Sequence, residues 1–166
     1  MMKSWVLPLL CVLSAPLAAE RQSAFGDARL DLRAEARACY LGFIELFDVD
    51  YFARPGAERC VELSYLREFS DEDLNEATLK VFEERHGREA VDRYRAELQQ
   101  LASAYRPVAP GDRYTYCTDP DAGGLLLRDD APVVRFETAD FAERFLQIWV
   151  KSDRPQGEPE WGFRQC

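Results

Sequence analysis

Cys39-Tyr40-Leu41-Gly42-Phe43-Ile44-Glu45-Leu46-Phe47-Asp48-Val49-Asp50-Tyr51-Phe52, then Arg54-Pro55-Gly56-Ala57, then Cys60-Val61-Glu62-Leu63-Ser64-Tyr65, is the stretch that decides the fold class. The first run is rich in aromatic and β-branched residues, which suit a pleated, half-buried surface. Its alternation puts Leu41, Phe43, Glu45, Phe47, Val49 and Tyr51 on one face. Pro55 presets φ and Gly56 frees it, so residues 54–57 read as a turn. The third run alternates as well, with Val61, Leu63 and Tyr65 on the buried side. These segments predict an antiparallel hairpin in an extended region beginning near Arg29, with Cys60 opposite a residue near position 51.

Helical patterning follows. Ser70-Asp71-Glu72-Asp73 reads as a capping box, with three acids facing the positive helix end. Leu74, Ala77, Thr78, Val81 and Phe82 share one helical face, and Gly87 suits the position just past the end. A second helix is predicted from about Glu89 to Tyr105, stopped by Pro107 and Pro110-Gly111. Extended segments return at Arg113–Cys117, Leu125–Leu127 and Val133–Phe136, separated by turns rich in Asp, Gly and Pro. A third helix, capped by Thr138, turns Phe141, Phe145, Ile148 and Trp149 inward. The pattern is α+β: about six strands in one antiparallel sheet, packed by about three helices. The segment from Lys151 to Cys166 carries two Pro and two Gly and reads as an irregular tail.

The beginning of the chain has the three zones of a secretory leader. Lys3 is the positive flank, Trp5–Leu17 is apolar apart from Ser14, and small residues follow, which places cleavage after Ala19. The expected organisation is residues 1–19 as signal peptide, 20–150 as one domain, and 151–166 as the tail. The expected compartment is periplasmic or secreted. The apolar run is too short and too interrupted by Pro8 and Pro16 to span a bilayer, and no later stretch replaces it. The sequence holds 30 acidic and 21 basic residues, so losing Lys3 leaves 30 − 20, near −10. With no Lys/Arg cluster and that balance, nucleic acid and anionic membranes are poor partners.

Cys39, Cys60, Cys117 and Cys166 remain after such cleavage, an even number that permits two disulfides in an oxidising compartment. Cys39–Cys60 ranks last among the pairings, because the hairpin register holds them far apart. No CxxC occurs and the sequence has one histidine, so no metal or cofactor is called for. Asp119-Pro-Asp121-Ala-Gly123-Gly124 with Asp130 superficially resembles a calcium loop. It lacks a side-chain oxygen at the fifth position and is flanked by strands, so an ordinary turn explains it. His86 reads as a solvated helix cap, and no nucleophile motif accompanies it, so no catalytic residue is identified.

Four strings in order resemble the chalcone isomerase-like proteins of bacteria. Leu46-Phe47-Asp48-Val49-Asp50-Tyr51-Phe52 resembles the family's Y-D-a-a-L-Y strand, and Leu63 to Leu74 resembles its strand-to-helix junction. Gly111-Asp112-Arg113-Tyr114 resembles its G-D-x-y strand start, and Phe145-Leu146-Gln147-Ile148-Trp149-Val150 its I-W-L segment. Together they span roughly residues 28 to 151.

The resemblance implies a curved antiparallel sheet covered by helices with a cleft between them. Members of the family isomerise chalcones, and others of the same fold bind fatty acids. The implied role is an exported, non-catalytic binder of a fatty-acid-like or other apolar molecule. The family has an arginine before its strand, a place that Arg37 or Arg33 could take here. The implied ligand-binding residues are Arg37, for a carboxylate, with Tyr40, Phe47, Tyr51, Tyr65 and Tyr114. The alternatives are an isomerase or lyase acting on a phenolic enone, with Arg37 and Tyr40 as the clamp, and an envelope scaffold. Phe47 and Phe52 stand where the family strand has tyrosines, and Lys151 replaces its glycine after I-W-L. Both departures weigh against isomerase chemistry.

Overall fold

The long extended run folds back on itself at Leu41-Gly42. The computed structural model describes residues 19–54, 56–154 and 157–166; all of the expected leader except Ala19, and Pro55 of the expected turn, lie outside them. After β1 (Glu20–Gln22) the run divides into β2 (Arg29–Tyr40) and β3 (Ile44–Ala53). Leu41 and Gly42 have φ of 54° and 82°, and the Phe43 N–H donates to the Tyr40 carbonyl at 3.3 Å. Positive φ at both central residues marks a type I′ turn, which favours Asn and Gly, here in a three-residue connection because Tyr40 pairs with Ile44. Leucine in that conformation costs about 1 kcal/mol. A bulge at Leu46 then shifts the register from Cys39↔Glu45 to Ala38↔Phe47. The expected common face therefore does not persist: Phe47, Val49 and Tyr51 join the core, while Leu41, Phe43 and Glu45 are exposed.

The main sheet is a seven-stranded antiparallel meander in chain order, continued by β4 (Arg59–Tyr65), β5 (Arg113–Asp119), β6 (Gly123–Arg128) and β7 (Ala131–Phe136). Between β4 and β5 the chain leaves for three helices, α1 (Asp71–His86), α2 (Arg88–Arg93) and α3 (Arg95–Ala104), and returns to the strand it left. Phe69 and Val108 close that excursion with paired backbone bonds of 3.1 and 2.9 Å. The Ser70 capping box forms as expected, with the Asp73 N–H donating to Ser70 Oγ at 3.0 Å. The single helix expected over 89–105 breaks at Tyr94. There the ring turns into the core against Phe82 and Phe141, and the hydroxyl donates to Asp140. α4 (Ala139–Leu146) follows β7. The expected irregular tail instead carries a ribbon of β8 (Val150–Ser152) and β9 (Glu160–Trp161). The architecture is thus α+β, a curled antiparallel sheet covered on one face by helices. It has one more strand in the sheet and one more helix than expected, because β1 adds to the edge and the second helix is split.

The concave face carries Tyr51, Tyr65, Tyr114 and Tyr116, all buried, at alternate positions of three neighbouring strands. α4 lies directly on β5 and β6. Tyr116 reaches it, its hydroxyl donating to the Ala142 carbonyl at 2.9 Å, and the phenol runs over Gly124, where a Cβ would sit 2.3 Å from that oxygen. The convex face has a smaller core of Leu30, Phe52, Cys60, Cys117, Leu125 and Leu127, roofed by Phe25. The loop bearing Phe25 is pinned by buried Glu58, whose carboxylate accepts the Ala24 N–H at 2.7 Å and the Ser23 hydroxyl.

Both disulfides form. Cys60 and Cys117 sit directly opposite each other on β4 and β5, and Cys39 bonds Cys166. Cys60 faces Phe52, close to the expected register, and the pairing ranked last does not occur. The Cys60–Cys117 bond joins residues 57 apart in sequence. Replacing both with alanine is expected to lower stability by about 2–4 kcal/mol through the loop constraint lost from the unfolded chain. Urea denaturation measures this, and an unchanged midpoint would mean that the strand ladder alone fixes the pair.

His86 is not a solvated cap. It is half-buried against Phe82, and its Nε2 lies 2.8 Å from the Arg144 carbonyl, joining α1 to α4. Nε2 is therefore the protonated nitrogen of a neutral ring. Burial lowers its pKa from the ordinary 6.5, assisted by the nearby cations Arg144 and Arg85. The unfolded chain then binds more protons, so stability from this site is present above about pH 6.5 and is lost as pH falls through the lower folded value. Stability measured against pH should decline below about 6.5, and His86→Gln should flatten that part of the curve. An identical slope in the variant would exclude the histidine as its source.

Candidate functional site

α1 is held at a distance from the sheet, its close backbone neighbours being α2 and α3. The gap beneath it is a cavity of about 250 Å³. Phe47, Leu63 and Tyr65 of the concave face form its floor, and Leu74, Thr78 and Val81 of α1 its roof. This roof is the apolar stripe of α1 that the sequence shows at helical spacing. Trp149 and Phe163 close one side.

Phe163 belongs to the C-terminal segment, which runs as a strap along the free edge of β2. The Cys39 N–H donates to the Arg164 carbonyl at 2.9 Å and the Cys166 N–H to the Arg37 carbonyl at 3.1 Å. The Cys39–Cys166 disulfide locks the end of this strap. Its middle is anchored by buried Trp161 and by Arg85, whose Nη2 donates to the Gly162 carbonyl at 3.0 Å. Phe163 then stacks edge-on to Phe47, with centroids 6.0 Å apart.

Polar groups gather at one end. Thr78 Oγ1 and the Tyr105 hydroxyl lie 2.8 Å apart and satisfy each other. Tyr65 also lines the cavity, and its hydroxyl has no hydrogen-bond partner among the described residues. Behind it Tyr114 meets the Tyr65 ring at 6.3 Å and the Tyr105 ring at 5.7 Å, and its own oxygen accepts the Arg106 N–H at 3.0 Å. Burial pushes the Tyr65 and Tyr105 phenols well above their ordinary range, so both stay protonated and act as neutral donors. At the rim stands the Asp73 carboxylate, already engaged by the Ser70 backbone N–H at 2.8 Å.

The sequence-predicted residues divide around this cavity. Phe47 and Tyr65 line it, and Tyr114 supports it one ring back. Tyr51 is fully buried in the core elsewhere, its hydroxyl unbonded and electrostatically coupled to Asp153 and Arg59. Tyr40 does not reach the cavity, because it stands at the hairpin turn, exposed. Arg37 does not reach it either. It points to solvent and is held by Asp48 at 2.6 Å and Glu45 at 2.7 Å, so the expected carboxylate clamp does not form there. No Lys or Arg lines the cavity among the described residues. Thr78, Trp149 and Phe163 are lining residues that sequence reasoning did not assign as such. The helical stripe signals the first two, and nothing local signals Phe163.

Glu58, Cys60 and Cys117 place one ligand atom each within 4.8 Å of one another. Both sulfurs are consumed in the disulfide, so no thiolate is available for a metal.

Three comparisons bear on this geometry. A solved fatty-acid binding protein from Arabidopsis thaliana has a similar fold, with a TM-score of 0.56 at 7% identity, covering 81% of this chain and 90% of that one. At that identity the likeness concerns the fold. No curated protein matches the sequence. The family model described as chalcone isomerase-like matches residues 49–158, from the middle of β3 to the ribbon that carries the strap. The chain belongs to the chalcone isomerase-like family.

Proposed function

We propose that this protein is an exported, non-catalytic binder of a fatty-acid-like molecule, held with its chain under α1 and its polar end at the Tyr65 hydroxyl. The observation that carries this reading is the cavity: apolar along its length, with the largely buried Tyr65 ring at one end and its hydroxyl not engaged by another side chain or backbone group among the described residues. At about 250 Å³ it is slightly smaller than typical ligand pockets, which run from ~300 to ~1,000 Å³. That size suits a short acyl chain or the inserted part of a longer one. The similar plant structure, whose protein is titled a fatty-acid binding protein, supports the same class of ligand.

The isomerase or lyase reading is less well supported. Such a reaction needs a strong electrophilic clamp on a carbonyl and a group to move the proton. The cavity lining offers neutral hydroxyls and a capped carboxylate, with Arg37 and Tyr40 both outside. Two disulfides and the Lys3-to-Ala19 leader pattern support export from the cytoplasm to the periplasm or beyond. Residues 20–150 would then be the folded domain, with the tail serving as the strap. Among the described residues no helix is long and apolar enough to cross a membrane.

Titration with an environment-sensitive fluorescent fatty acid tests the binding reading. Saturable binding is expected. Ala77, exposed at the cavity rim, can be enlarged without disturbing the core; Ala77→Phe should weaken binding by roughly tenfold or more as apolar contact is lost. Tyr65→Phe removes one hydrogen bond, worth about 1 kcal/mol, and should weaken it roughly fivefold. Saturable binding that ignores both substitutions would place the ligand elsewhere, and no binding at all would contradict the proposal.

A further inference from the structure

The turn between β2 and β3 presents Tyr40, Leu41 and Phe43 to solvent, with exposures of 58%, 58% and 73%. Of the four exposed large hydrophobics among the described residues, three, the most exposed, lie in this one turn. Folding does not call for them. A type I′ turn is best served by Asn or Gly, yet Leu41 holds φ 54° with its side chain in water. A residue that is both strained and exposed, between two exposed aromatics, points to a partner for the turn.

The surroundings say which kind. Leu46 and Phe47, a few residues along the same hairpin, line the cavity, so the turn leads into it. The carboxylates nearest the turn, Glu45 and Asp48, are both taken by Arg37. Two further cations flank it. Arg67 Nε donates to the Glu45 carbonyl at 2.9 Å, and Arg164 lies against Gly42, its guanidinium 3.9 Å from where a Cβ would be. Neither meets a carboxylate among the described residues. In a chain of net charge −9, the turn is thus an apolar tip flanked by Arg67 and Arg164, beside the Arg37 ion pairs. The three side chains expose roughly 300–400 Å², well short of the ~800 Å² per partner that a stable protein interface needs. A small tip with two aromatics and flanking arginines matches the boundary of a lipid layer, where aromatic rings settle among headgroups and cations meet phosphates.

We infer that the Tyr40–Phe43 turn docks the protein on a phospholipid surface, so that an acyl ligand passes between that surface and the cavity. The docking step stands on the turn itself, and the transfer step rests on the binding reading above. It also revises the expectation, drawn from net charge, that anionic membranes are poor partners, because local charge governs contact within a Debye length.

The test is co-sedimentation of the full purified chain with unilamellar vesicles of phosphatidylcholine, with and without phosphatidylglycerol. The unaltered protein should bind the mixed vesicles more tightly than the neutral ones. Tyr40→Ser/Leu41→Asn/Phe43→Ser should lose about tenfold or more of that binding while keeping its affinity for the fluorescent fatty acid in solution. Leu41→Asn alone suits the turn, so a weakened vesicle affinity together with unchanged or raised stability separates docking from folding. Arg67→Gln/Arg164→Gln should abolish the preference for phosphatidylglycerol. Absence of vesicle binding in a protein that binds the fatty acid would overturn docking and leave the cavity reading intact. Vesicle binding without fatty-acid binding would keep docking and defeat the cavity reading. Vesicle binding unchanged in the triple variant, or tip-dependent self-association in place of vesicle binding, would overturn the inference.

Discussion

Tyrosines on the concave face of a curled sheet must be covered, and a covered hydroxyl left without a partner is costly. That constraint organises the molecule. Tyr116 is satisfied by the Ala142 carbonyl of α4, which can approach because Gly124 leaves room for the phenol. Tyr114 is satisfied by the Arg106 backbone at the end of the helical excursion. Tyr105 pairs with Thr78. An unpaired buried hydroxyl is destabilising by about 1–3 kcal/mol, so these contacts fix where the helices lie. Two tyrosines differ. The Tyr51 hydroxyl is buried in the core without a hydrogen bond, beside Asp153 and Arg59. The Tyr65 hydroxyl keeps an unused donor at the cavity, which gives the apolar space a direction.

The cavity exists because two coverings differ. α4 presses onto β5 and β6 with Phe141 and Phe145 in full contact, and no room remains there. α1 rides on α2 and α3, and its inner residue Thr78, with Ala77 at the rim, does not fill the distance to Phe47 and Leu63. The strap closes the open side. Its hold combines edge-strand bonds to β2, a buried Trp161 and the terminal disulfide, so a segment rich in Pro and Gly becomes a wall. Cysteine chemistry here thus shapes the cavity as well as stabilising the chain.

Much of this was legible in the sequence. Period-two alternation in Val61–Tyr65 and the Ser70 capping box each have a local cause, so β4 and the start of α1 could be read directly. The turn at Leu41-Gly42 could not, because leucine disguises a turn position as strand, and the bulge at Leu46 then reversed the faces assigned upstream. The break at Tyr94 was hidden for a similar reason: its stripe is helical throughout, and tertiary burial of one ring overrides it. Among the candidate site residues, Phe47 and Tyr65 could be read as inward-facing from alternation alone. Arg37 was chosen by resemblance, and its register opposite Asp48 sends it outward into an ion pair. Phe163 depends on a contact across more than a hundred residues, which no local pattern encodes.

The central claim is that the space under α1 is made to be occupied. Native mass spectrometry of the protein as purified, followed by organic extraction, tests it most directly. The expected result is one equivalent of a fatty acid or related lipid that leaves on extraction and returns when supplied. A protein that is empty as isolated and takes up no fatty acid when it is offered would contradict the claim.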